Sequence, residues 1–153
     1  MRSLRVLASW GLALFLIFMY LQATVHPLPD PPAGEVKLFD RPGENIVFAT
    51  MALKTGLAWL EPGGRFVVAV LELLAVIMLL FPAMRKTGAI FSAIILIGAV
   101  MAHLSPDILG REVPLSLDPA NSDTDGGALF ALAIAMLTAS LLLFVVHPSR
   151  FAR

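Results

Sequence analysis

The sequence predicts an all-α membrane protein: a four-transmembrane-helix bundle with an additional short interfacial or re-entrant helix. Three observations predict it. Hydrophobic residues fill 58 % of the 153 positions and charged residues only 14 %, with a mean hydropathy of +0.85, an apolar share that soluble domains rarely reach. Four apolar runs, approximately 6–25, 66–84, 87–104 and 127–146, approach the ~20 residues at ~1.5 Å rise that a helix needs to cross a bilayer. The segments that join these runs sort sharply by charge, basic in one set and acidic in the other.

The first run follows Arg2 and Arg5 and continues uncharged to Val25. A basic start and an apolar middle also describe a signal peptide. The run is long for that role, however, and Leu21 stands where a cleavage site wants a small residue, so a retained first span is expected. Trp10 and Tyr20 lie towards its two ends, and Tyr20 is expected to anchor at the membrane interface. From His26 to Gly43, repeated Pro and Gly break any regular element. The stretch 45–60 is apolar around Lys54 and ends in Trp59, Glu61, Pro62, Gly63 and Gly64. It is short for a span, and a fifth span would disturb the charge pattern, so it is expected to lie in the interface or re-enter the bundle.

The second and third spans form a hairpin hinged by Pro82 and the pair Arg85–Lys86. The segment 105–127 holds Pro106, Pro114, Pro119 and five acids, and reads as an aqueous loop. Asp123 or Asp125 can cap the helix that follows. The basic residues Arg2, Arg5, Arg85, Lys86, Arg150 and Arg153 all lie in the termini and the short turn, and every acid except Glu72 lies in the two long loops. The positive-inside rule then places both termini in the cytoplasm and both long loops outside.

Small residues recur on one stripe of the third span (Gly88, Ser92, Ala99, with His103), of the fourth (Ala128, Ala131, Ala135, Ala139), and beside Glu72 on the second (Ala69, Ala75). Small residues let helices approach closely in lipid, so these faces are expected to point inward. Glu72 and His103 are then ionisable groups at membrane depth, where such groups are costly and mark sites. With the second span starting near Phe66, Glu72 lies ~9 Å below the outer surface. Lys54 and Asp125 approach from the same side. Glu72, His103, Lys54 and Asp125 are therefore the candidate polar pocket, opening outward to a quinone head group, a small solute or a proton. A plain alternative is that Glu72 only pins two helices by a hydrogen bond, and that Lys54 only snorkels.

Other chemistry is poorly served. Zero net charge gives no electrostatic footprint for nucleic acid. The absence of cysteine excludes disulfides, thiol catalysis and thiolate metal sites in this chain. No metal site is expected: His26 and His147 fall on opposite sides of the membrane, and the calcium-loop-like stretch from Asn121 to Gly126 would need an acid where Leu132 stands. Lipid is the expected surrounding partner, and a homo-oligomer or a redox enzyme partner is compatible with four short helices.

The run L-E-P-G-G-R-F-V-V-A-V-L-E-L-L-A-V-I-M-L-L-F-P, then R-K-T-G-A-I-F-S-A-I-I-L-I-G-A-V-M-A-H-L, then D-G-G-A-L-F-A-L-A resembles the DoxX-like family of small bacterial membrane proteins. The resemblance covers Thr50 to Val146. Its most telling pieces are Glu72 in an L-E-L-L run, Pro82, Gly88–Ala89, and Gly98–Ala99 leading to His103. It implies a four-helix protein of the bacterial inner membrane. It also implies association with quinone-dependent redox complexes, such as a thiosulfate:quinone oxidoreductase subunit or a membrane partner of antioxidant enzymes. The chain would then bind a quinone or anchor a catalytic partner. A small-solute or lipid carrier using the Glu72 pocket, and a non-catalytic anchor, remain as alternatives.

Overall fold

Apolar side chains on all sides of a helix can be satisfied only by neighbouring helices and lipid, and the computed structural model, which describes residues 2–30, 34–118 and 120–148, is built that way. Its helices are α1 (Arg2–Thr24), α2 (Ile46–Thr55), α3 (Gly63–Leu80), α4 (Arg85–Leu104) and α5 (Ala128–Val146), with a 3-10 turn at Ala58–Leu60. Four of them, α1, α3, α4 and α5, are long and apolar enough to cross a membrane, and α2 is a shorter apolar helix. No strand forms among the described residues; loop 105–127 closes on itself through one bridge between Pro114 and Thr124. The four long helices alternate in direction around a ring, with α1 against α3 and α5, and α4 against α3 and α5. One end of the ring carries the short turn 81–84 and is called the turn end. The other carries both long connections and is called the loop end.

The core is a narrow column. Ala13, Leu16 and Tyr20 of α1 meet Ala75 and Leu79 of α3, Ala89 and Leu96 of α4, and Met136, Ala139 and Leu143 of α5. Leu7, Val70, Ile94, Ile97, Leu141 and Val145 point outward and stay exposed. An apolar exterior on every helix suits a hydrocarbon solvent. The α3–α4 pair approaches closest at Gly88, where an added Cβ would sit 2.9 Å from the Met78 Cβ and 3.0 Å from the Met78 backbone carbon.

The expected small-residue stripes hold on α3 and α4 and fail on α5. Ala69, Glu72 and Ala75 are buried, as are Gly88, Ser92 and His103, while Ala99 of the same stripe is half-buried. On α5, Ala128, Ala131 and Ala135 are exposed, and the inward face is Ala133, Met136, Ala139, Ser140 and Leu143. The reason is physical: α5 is apolar on every side, so its sequence carries no amphipathic period from which to read a face. Tyr20 also departs from expectation. It is no interfacial anchor but a core residue, 1 % exposed.

The turn end is tied by a buried polar knot. Arg85 begins α4, yet its side chain folds inward over Trp10, with Cζ 3.8 Å from the ring centroid. Its Nε donates to the Leu79 carbonyl (2.9 Å) and its Nη1 to Ser9 Oγ (3.3 Å). His147, just past α5, lies 2.7 Å from Ser9 Oγ through Nδ1 and 3.0 Å from the Pro82 carbonyl through Nε2. A carbonyl only accepts, so Nε2 carries a proton; in the uncharged ring, Nδ1 then accepts from Ser9. Burial, with the nearby positive charges of Arg85 and Lys86, holds His147 below its ordinary pKa against the opposing Pro82 bond.

At the loop end, α1 stops early. Its last residue, Thr24, bonds Glu72, the tenth residue of α3. The first turns of α3 therefore rise past the end of α1, and the Pro-rich connector packs into the space. Its backbone pairs back onto α1, Lys37 N–H to the Ala23 carbonyl and Leu38 N–H to that of Thr24. Asp40 gathers the Gly34 and Val36 N–H groups and the Asn45 side-chain amide. Asn45 in turn caps α2 through the Phe48 N–H. Gly56, at φ +72°, ends α2 in the left-handed conformation that glycine adopts most readily. Arg65 clamps the whole arrangement from α3: Nε bonds both Glu61 oxygens, Nη1 the Lys37 carbonyl and Nη2 the Asp40 carbonyl.

Candidate functional site

The space around the end of α1 is not completely filled. A cavity of about 520 Å³ occupies the loop-end half of the bundle, within the range of small-molecule pockets. Its walls come from Met19, Tyr20 and Ala23 of α1, from Glu35, Lys37 and Asn45 of the connector, and from facing residues of all four other helices. Phe48, Leu71, Phe91, Leu132 and Met136 typify the lining, which is overwhelmingly apolar.

A few polar groups punctuate it. Glu72 is 7 % exposed. Its Oε2 accepts from Thr24 Oγ1 at 2.6 Å and pairs with Lys37 Nζ at 3.2 Å. Lys37 also reaches the Ala23 carbonyl at 3.4 Å. This is a buried ion pair delivered by two segments far apart in sequence, and such pairs hold geometry more than they add net stability. Deeper in the bundle, Tyr20 Oη lies 2.6 Å from Ser92 Oγ, which lies 2.9 Å from Ser140 Oγ. Ser140 donates to the Met136 carbonyl at 3.0 Å. That last bond fixes the direction of the chain, since each hydroxyl has one proton: Tyr20 donates to Ser92, and Ser92 to Ser140. His103, 6 % exposed, also lines the cavity. Its Nδ1 is 2.9 Å from the Gly110 carbonyl, and its ring is tilted against Phe130 with centroids 5.7 Å apart.

Of the four residues anticipated from sequence, Glu72 and His103 line this one cavity, while Lys54 and Asp125 do not. Lys54 is not the partner of Glu72. Its ammonium donates to the carbonyls of Leu109 (2.6 Å) and Pro106 (3.2 Å), holding the turn after α4 against the end of α2. Asp125 is a clip and a helix cap: Oδ1 accepts from the Val113 and Gly127 N–H groups and Oδ2 from that of Leu129. Burial alone would raise its pKa, but these three N–H bonds and the nearby His103 hold it below the ordinary carboxylate value.

Lys37 is the residue that sequence reasoning missed. It stands in a proline-rich connector and reads as a solvated cation. The available signal was the cost of an unpaired carboxylate at depth, which demands a partner and leaves few candidates on the loop side. Thr24 and Ser140 were hidden because hydroxyl residues are common in membrane helices.

Four apolar spanning-length helices around a cavity with a buried ion pair on its wall define a small helical protein of the membrane type, with a ligand-sized chamber in one half. Compared with known protein families, with curated proteins and with solved structures, the chain matches none.

Proposed function

We propose that this is a DoxX-like protein of the bacterial inner membrane that serves as the quinone-facing subunit of a redox or stress-response complex, with the loop-end cavity as its quinone site. The observation that carries the reading is the cavity itself: an apolar chamber of about 520 Å³ whose wall bears the Glu72–Lys37 pair. A ring with an apolar tail fits an apolar lining with few polar contacts. The resemblance of residues 50–146 supplies the family and the quinone. The basic turn end, with Arg5, Arg85 and Lys86, supports a cytoplasmic placement of both termini, and the acidic loops an external placement of the loop end.

The test is ligand content. The protein is purified in mild detergent, extracted with organic solvent and assayed for quinone, beside Glu72→Gln and the cavity-filling variant Ala99→Phe. Stoichiometric quinone in the wild type, reduced in both variants, supports the reading. An empty wild-type protein that also fails to take up added quinone overturns it, and co-purified lipid or solute in place of quinone points to the carrier alternative.

A further inference from the structure

Two polar groups of the cavity, Glu72 and His103, share one property that its shape alone does not reveal. Glu72 Oε2 takes both the Thr24 hydroxyl and the Lys37 ammonium, and no described residue bonds Oε1. At His103, the Gly110 carbonyl can only accept, so Nδ1 carries the proton. In the uncharged ring, Nε2 is then a bare lone pair, and no described residue bonds it. Tyr20 has committed its proton to Ser92, as the chain running to the Met136 carbonyl requires. Glu72 and His103 are both more than nine-tenths buried, and each keeps an acceptor atom unused. On the donor side, Lys37 directs protons at Glu72 and Ala23, and the Asn45 amide directs one at Asp40. A ligand that covers these acceptors without donating to them leaves them unpaired, which is costly, so the ligand that suits this chamber brings donors.

The spacing adds a second constraint. Gly88 of α4 faces Met78 and Leu79 of α3. Counting antiparallel from that contact, His103 stands level with the first residues of α3, about nine residues from Glu72, or ~13 Å along the axis. Side chains on a helix lean towards its N-terminus. Glu72 therefore leans towards the loop end and His103 away from it, so the two acceptors lean towards each other. Two acceptors set apart along the bundle in this way call for donors at opposite ends of one ligand, each making a hydrogen bond of ~2.8 Å.

We infer that the chamber selects a hydroxyl-bearing ring, one hydroxyl donating to Glu72 Oε1 and one to His103 Nε2, so that of a quinone couple the reduced dihydroxy form is held in preference to the dicarbonyl form. This rests on the quinone reading above and deepens it. A quinone carbonyl can accept from Lys37 but leaves both acceptors unpaired, and sites built around a substrate hydroxyl reject analogues that lack it.

The experiment is equilibrium binding to wild-type protein in nanodiscs. The probes are a short-chain alkyl benzohydroquinone under anaerobic conditions, the matching benzoquinone, and the hydroquinone dimethyl ether, which keeps the shape and removes both donors. The hydroquinone is expected to bind at least tenfold more tightly than the other two. His103→Asn keeps a donor for the Gly110 carbonyl, deletes the Nε2 acceptor, and is expected to shrink the preference several-fold. Glu72→Gln is expected to shrink it also, with folding checked by its melting profile. Equal binding of all three probes overturns the inference and leaves the quinone site standing. Tighter binding of the quinone overturns it too. No binding of any probe overturns both.

Discussion

Gly88→Ala offers the sharpest stability test of the bundle, because the contact it disturbs is backbone against backbone. The added Cβ would lie 2.9 Å from the Met78 Cβ, 3.0 Å from the Met78 carbonyl carbon and 3.1 Å from the Leu79 nitrogen. Carbon pairs prefer ~3.5–4.0 Å, so α3 and α4 must part locally by about 0.6–1.1 Å. The two helices are joined by the tight turn 81–84, which restricts that movement. Overpacking of this kind costs about 1–3 kcal/mol. Replacing Gly by Ala within a helix also gains up to ~1 kcal/mol in propensity, which would blur a single measurement. Gly98→Ala, on the same helix with nothing within 4 Å of its Cβ, carries the gain without the clash. The difference between the two variants isolates the steric cost. Both would be unfolded reversibly in mixed micelles and followed by tryptophan fluorescence, with Gly88→Ala expected to be about 1–3 kcal/mol less stable than Gly98→Ala, or roughly 5- to 150-fold in equilibrium constant. Equal stability of the two would refute the close approach of α3 and α4.

Three further outcomes follow from the polar contacts. Lys37→Met leaves the buried Glu72 without its counter-charge and should cost about 3–5 kcal/mol, most of it recovered in Lys37→Met/Glu72→Leu; a double variant no more stable than the single one would contradict the pairing. Arg65→Lys cannot reproduce a fork that bonds Glu61 and two connector carbonyls, so proteolysis of the connector 26–45 should accelerate several-fold while the rest of the chain stays protected; unchanged cleavage would remove Arg65 from that role. His147 has its pKa held below the ordinary 6.5 by burial and by Arg85 and Lys86. The unfolded chain then takes up this proton first, so stability is full above about 6.5 and falls as pH drops from there towards the lowered value. The melting temperature of wild type should fall over that range by more than that of His147→Gln, and parallel profiles would exclude His147 as the source.

Helix number and length were legible in the sequence because the spans need only length and apolarity, which composition carries directly. The faces of α3 and α4 were legible because Glu72, Ser92 and His103 break an otherwise apolar surface. The face of α5 was not, since its outward and inward positions are equally apolar and alanine fits both. Tyr20 misled because tyrosine near a span end favours the interface in general, while here the early stop of α1 and the hydroxyl of Ser92 draw it into the core. Glu72 and His103 emerged as cavity residues through the cost of placing them in lipid. Their partners did not, because Lys37 reaches Glu72 from a connector whose path depends on Arg65 and Asp40, contacts that no local pattern encodes.

The knot at the turn end has a mechanical consequence. Ser9, Pro82, Arg85 and His147 join α1, the turn, α4 and the end of α5 through one continuous set of hydrogen bonds. The helices are thus fastened directly to one another at this end, whereas at the loop end many of the ties run through the connector and loop 105–127. Releasing the connector would therefore let the helices part at the loop end while the knot keeps them together, as tweezers open from a fixed joint. Hydrogen exchange should then show a gradient along each long helix, slowest near the knot and fastest beside the chamber.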